Sequence, residues 1–93
     1  MSAAKLARLY RIRGRVQGVG FRYFAEHSAH ALGITGWVRN RDDGCVEVYA
    51  VGSAEELAEF AGMLWKGPRW AEVRGVEELE AAVERHSGFS VRQ

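Results

Sequence analysis

Cysteine is almost missing from this sequence. Cys45 stands alone, so no internal disulfide forms, the fold asks for no oxidising compartment, and no Cys or His pair stands at zinc-ligand spacing. No apolar run approaches the roughly 20 residues of a membrane span, and the start, MSAAKLARLY, lacks the apolar block of a signal peptide. The expectation is a cytoplasmic protein with no metal, no cofactor and no membrane contact. An excess of one charge is lacking too: 13 Lys and Arg stand against 12 Asp and Glu, a net of +1, which excludes a basic nucleic-acid arm or an acidic tail. Nor is there a repeat, a linker or a low-complexity segment. A chain of this size buries roughly 60–65% of its unfolded surface, so residues 1–93 are read as one domain, with 1–7 a flexible start.

What is present centres on Gly14 to Arg22, GRVQGVGFR. Before it, Tyr10, Ile12, Gly14 and Val16 alternate with Arg11, Arg13 and Arg15, the pattern of a half-buried strand with its arginines toward solvent. After it, Phe21, Phe24, Ala25, Ser28 and Leu32 recur at helical spacing, and Gly33 ends the helix. Gly18 and Gly20 therefore lie in a strand-to-helix turn, where backbone N–H groups and the positive helix end converge on one point. That is an anion cradle suited to phosphate. Arg22, in the first helical turn, is placed to fork onto two phosphate oxygens. Glycines also serve packing at such turns, and this reading stands beside the binding one.

Ile34 to Asn40 has strand composition, Asp43-Gly44 marks a hairpin, and Cys45 to Val51 alternates again. Ser53 and Glu56 form a capping box before a second helix, whose stripe is Leu57, Phe60, Ala61 and Leu64 and whose stop is Gly67-Pro68. Trp65 and Trp70 are expected to pack at that helix end. Ala71 to Glu80 is a weaker strand, a polar run reaches Ser87, and Phe89 to Val91 is a last short strand. His27 and His30 lie off the apolar stripe and are read as exposed, and His86 lies in a loop. The order predicts an α+β, ferredoxin-like α/β sandwich: split βαβ, a mostly antiparallel sheet with a short extra end strand, and two helices on one face. In that topology the first and second strands run the same way and end at one edge. Asn40, which closes the second, then lies beside the glycine loop. Asparagine also starts turns, so a purely local role for it is equally open.

The two blocks GRVQGVGFR (Gly14–Arg22) and GWVRN (Gly36–Asn40), with DDGCVEV, KGPRWAEV and FSV, cover nearly the whole chain from Leu9 onward and resemble the acylphosphatase family. The resemblance implies metal-independent hydrolysis of the carboxyl-phosphate bond of acyl phosphates to a carboxylate and inorganic phosphate. It implies that Arg22 binds the substrate phosphate and Asn40 orients the attacking water. It assigns the phosphoryl oxygens to the backbone N–H groups of Arg15, Val16, Gln17, Gly18, Val19, Gly20 and Phe21. The implied partners are a small acyl phosphate, with inorganic phosphate or other anions as inhibitors, and the chain is expected to be a monomer. Some members carry a hydroxyl residue where this chain has Arg41, and many end in tyrosine where this one ends Val91-Arg92-Gln93.

Two other readings compete. An RNA-recognition domain shares the strand and helix order, but its stacking aromatics must lie on a strand, whereas Phe21 to Phe24 continue into a helix. A phosphate-binding module without catalysis needs the cradle and Arg22, whereas a domain that carries both Arg22 and Asn40 is more economically read as an enzyme.

Overall fold

A computed structural model describes residues 4–93. Its elements are β1 (Leu6–Arg15), α1 (Phe21–Leu32), β2 (Thr35–Asn40), β3 (Val46–Gly52), α2 (Ala54–Lys66), β4 (Glu72–Ala81) and β5 (Phe89–Arg92). The sheet order is β4-β1-β3-β2-β5, with β1 and β2 both antiparallel to β3, β4 antiparallel to β1, and β5 parallel to β2. This is the ferredoxin-like α+β arrangement, with β5 added on the β2 edge. β1 begins earlier than expected: Leu6 and Ala7 pair with Gly52 and Val51, and Ala7 is buried, so these two residues are not part of a flexible start. The sheet hydrogen bonds and the burial of Ala7 hold them there. Residues 1–3 of that segment lie outside the described residues.

The alternation in β1 and β3 sends Tyr10, Ile12, Val46, Val48 and Ala50 into one core with Phe21, Ala25 and Ala29 of α1 and Leu57, Phe60 and Leu64 of α2. Phe60 is its pivot, edge-on to Tyr10 at 6.0 Å and to Phe89 at 6.1 Å. Ser53 accepts from the Glu56 N–H and Glu56 Oε1 accepts from the Ser53 N–H, so the capping box forms as its spacing predicts. Gly33 closes α1 in a left-handed conformation. Trp65 and Trp70 are not buried at the helix end. They are 53% and 67% exposed: the core-facing turns of α2 place Leu57, Phe60 and Leu64 inward and turn Trp65 off that stripe, and Trp70, beyond α2, carries the Arg69 guanidinium over its ring at 5.2 Å. The polar run after β4 forms no helix up to Ser87.

Candidate active site

The approach to the cleft is set by β1. Its register with β4 shifts between Arg13 and Gly14, and Val16, 1% exposed, pins the chain into the core immediately after the strand. From that anchor the loop rises through Gly18 (φ 74°) and Gly20 (φ 80°), both left-handed. A Cβ at either position would meet no atom within 4 Å, so the backbone angle alone selects glycine there. Gly20 caps α1 without a side-chain cap, and no acidic residue occupies the first turn. The first helical bond runs from the Phe24 N–H to the Gly20 carbonyl at 3.0 Å. The N–H groups of the turn ahead of it therefore have no intrahelical acceptor and leave the positive helix end free for an anion.

Val16, Gly18, Gly20, Phe21, Arg22, Tyr23 and Asn40 line a cleft of about 110 Å³ at this point. The topology thus brings Asn40, eighteen positions beyond Arg22 in sequence, to the glycine loop, at the shared end of β1 and β2. Arg22 Nη1 donates to the Arg92 carbonyl at 3.2 Å, so β5 holds the guanidinium through main chain. Three other loop residues do not line the cleft. Arg15 is the exposed last residue of β1, Val19 packs against the core, and the Gln17 side chain turns toward the β2–β3 connection. Tyr23 is the lining residue that periodicity did not single out. It is 74% exposed and off the apolar stripe, and its only sequence signal is that it follows Arg22 in the first turn.

A family model described as Acylphosphatase matches residues 8–91. The chain belongs to the acylphosphatase family. The acylphosphatase of Solibacter usitatus is 58% identical over 92% of this chain and 90% of its own length. That of Pasteurella multocida is 51% identical over 94% and 98%. The crystal structure of acylphosphatase from Bacillus subtilis shares the fold at a TM-score of 0.92 and 38% identity, covering 95% of this chain and 99% of that one.

Within this acylphosphatase domain the second wall of the cleft rests on an arginine cluster. Glu47, 3% exposed on β3, accepts from Arg39 Nε (2.8 Å), Arg11 Nε (3.2 Å) and Arg41 Nη1 (3.2 Å). Burial alone would raise the Glu47 carboxyl; the hydrogen bonds from Arg39 and Arg11, the Arg39 charge and the Arg41 hydrogen bond together hold it below the ordinary carboxylate range. Arg39 and Arg41 are the residues on either side of Asn40. Asp43 is held low as well, first by the Cys45 N–H that its Oδ1 accepts at 3.0 Å, which outweighs the upward push of burial, and then by the charge and hydrogen bond of Arg41. In the alternation of β1 the arginines read simply as the wet side, and nothing local to β3 announces that Glu47 gathers one of them, Arg11, together with Arg39 and Arg41.

The three histidines stay away from the cleft. His27 and His30 are exposed as expected, with His30 Nε2 3.3 Å from the Phe89 carbonyl, and His86 packs against the Tyr49 ring at 5.3 Å. Among the described residues no three His, Cys, Asp or Glu side chains gather in a metal-binding group.

Proposed function

We propose that this chain is an acylphosphatase in which Arg22 and the loop amides bind the phosphoryl group of an acyl phosphate and Asn40 orients the attacking water. The observation that carries the reading is the single cleft lined by Gly18, Gly20, Arg22 and Asn40. Water attacks phosphorus, the bond from phosphorus to the acyl oxygen breaks, and a carboxylate and inorganic phosphate leave. A carboxylate departs with little need of protonation, so no strong general acid is called for. Phosphoryl transfer chiefly requires positioning and stabilisation of charge on the equatorial oxygens, which a guanidinium and converging N–H groups supply. A carboxamide does not titrate in the useful range; Asn40 therefore holds water by accepting and donating hydrogen bonds, and the water's proton passes to the substrate phosphate.

The same cradle admits inorganic phosphate and other small oxyanions as competitors. The protein acts as a monomer in the cytoplasm, a compartment that suits the single free thiol of Cys45. Hydrolysis of benzoyl phosphate with excess chelator, with Arg22→Ala as the paired control, tests the reading. Turnover that survives chelation and is lost in the variant is the expected result. A folded wild-type protein that binds phosphate without turnover would make the cleft a binding site only.

A further inference from the structure

The Gln17 carboxamide is spent on the neighbouring turn. Its Nε2 donates to the Arg41 carbonyl at 2.8 Å and to the Cys45 carbonyl at 3.0 Å. A primary amide carries two N–H groups, and each has its own acceptor here. Those two carbonyls are also the ones that close the turn: the Arg41 N–H donates to Cys45 O at 2.8 Å and the Gly44 N–H to Arg41 O at 3.2 Å. Each carbonyl thus uses both lone pairs, one within the turn and one on Gln17. The acceptor at one end of this clamp belongs to Arg41, the residue after Asn40, and the donor stands next to Gly18 in the anion loop.

We propose that Gln17 is a positioning residue, which clamps the phosphate loop to the β2–β3 turn and so sets where the water held by Asn40 stands relative to the phosphorus. The inference rests on the proposed hydrolysis. Two features of the site require such a device. The loop is built around two left-handed glycines and the cleft face of Asn40 belongs to another strand, so no backbone ladder within the loop itself joins the two walls. In-line attack is sensitive to small misplacement of the nucleophile relative to the phosphorus, and Arg22 and the glycine loop belong to the wall opposite Asn40, so their grip on a phosphate does not depend on where the other wall stands. The clamp also demands an amide in particular. A glutamate at position 17 would set a carboxylate against two carbonyl oxygens, and a leucine of similar size would leave each carbonyl only its donor within the turn and nothing to tie that turn to the loop.

The test compares wild type, Gln17→Leu, Asn40→Ala and the double variant, each with kcat and KM for benzoyl phosphate, the inhibition constant of inorganic phosphate, and a melting temperature. The expected result is a fall in kcat of tenfold or more in Gln17→Leu, with the phosphate inhibition constant within about twofold of wild type. That loss should vanish in the Asn40→Ala background, where the double variant turns over as slowly as Asn40→Ala alone. Gln17→His, which keeps a ring N–H donor for one carbonyl, should recover part of kcat. A merely structural Gln17 would lower the melting temperature in both backgrounds without this coupling. Wild-type kcat in folded Gln17→Leu, losses that multiply in the double variant, or a phosphate constant that rises in step with KM would each overturn the proposal. An inactive wild-type protein would bring down the hydrolytic reading and this inference with it, a different outcome from an active wild type beside an unaffected variant.

Discussion

On one wall of the cleft the groups offered to a ligand are backbone N–H groups between Val16 and the first turn of α1, shaped by Gly18 and Gly20 and completed by Arg22. On the other wall the offered group is one side chain, Asn40, at the last position of β2, stiffened by the arginines about Glu47. The first wall is a local object, encoded in consecutive residues and needing only open space around its glycines. The second is assembled from β1, β2 and β3, and a change to it acts through neighbours. In the proposed mechanism the first wall binds and the second positions water, so the two losses should separate in kinetics.

The sharpest separation comes from the two side chains themselves. In the proposed mechanism the Arg22 cation meets the phosphate in both ground and transition states, so Arg22→Ala should raise KM and lower kcat together, a fall in kcat/KM of about 10³ or more. Asn40→Ala should lower kcat by about 10² to 10³ while the inhibition constant of inorganic phosphate stays put. Steady-state kinetics on benzoyl phosphate reads both, and full activity in Asn40→Ala would remove the water-positioning role.

Next in size are changes to what supports each wall. Glu47→Ala leaves three partly exposed guanidiniums without their common carboxylate, though Arg11 keeps Glu77 and Arg41 keeps Asp43, and should cost about 1–2 kcal/mol in urea denaturation. Equal stability of variant and wild type would mean that solvent screens the cluster. Gly20→Ala forces a left-handed angle on a residue with a Cβ and should cost about 1–2 kcal/mol, with Gly20→Asn milder. Since a Cβ there has free space, the angle and not a clash is being tested, and a Gly20→Ala protein as stable as wild type would show that the loop relaxes.

The smallest effect is a pH dependence. Glu47 titrates lower in the folded chain than in the unfolded one, where a glutamate has a pKa of about 4.3. The unfolded state therefore binds the proton more readily, and the stabilisation is fully present above the unfolded value and disappears as pH falls through the folded one. The melting-temperature gap between wild type and Glu47→Gln should be constant at neutral pH and narrow below about pH 4. A gap that widens on acidification would reverse the sign assigned to Glu47.

The legible parts of the fold are those that one stretch of chain decides. Ser53 and Glu56 start α2, Gly33 ends α1, and Asp43-Gly44 turns β2 into β3, each through a backbone group that a neighbour a few residues away must satisfy. The illegible parts depend on strands brought side by side. Arg92 offers its carbonyl to Arg22 only because β5 pairs in parallel with β2, and four residues carry too short a pattern to announce that pairing. Glu47 reads as a solvent-side residue of β3 until β1 and β2 lay arginines across it. The exposure of Trp65 and Trp70 is the reverse case, large apolar rings that composition alone would bury.

The sequence by itself determined the order of elements, the glycine turn that opens α1 and the identity of Arg22 beside it, because left-handed angles, capping and alternation are short-range demands on consecutive residues. Tertiary structure made real the meeting of Asn40 with the glycine loop that the strand order predicts, and it alone decided that Gln17 reaches across to Arg41 and Cys45 and that Arg92 steadies Arg22. Those contacts join positions 18 to 70 residues apart, and hydrogen bonds and packing at such separations exist only once the sheet has fixed which strand ends meet.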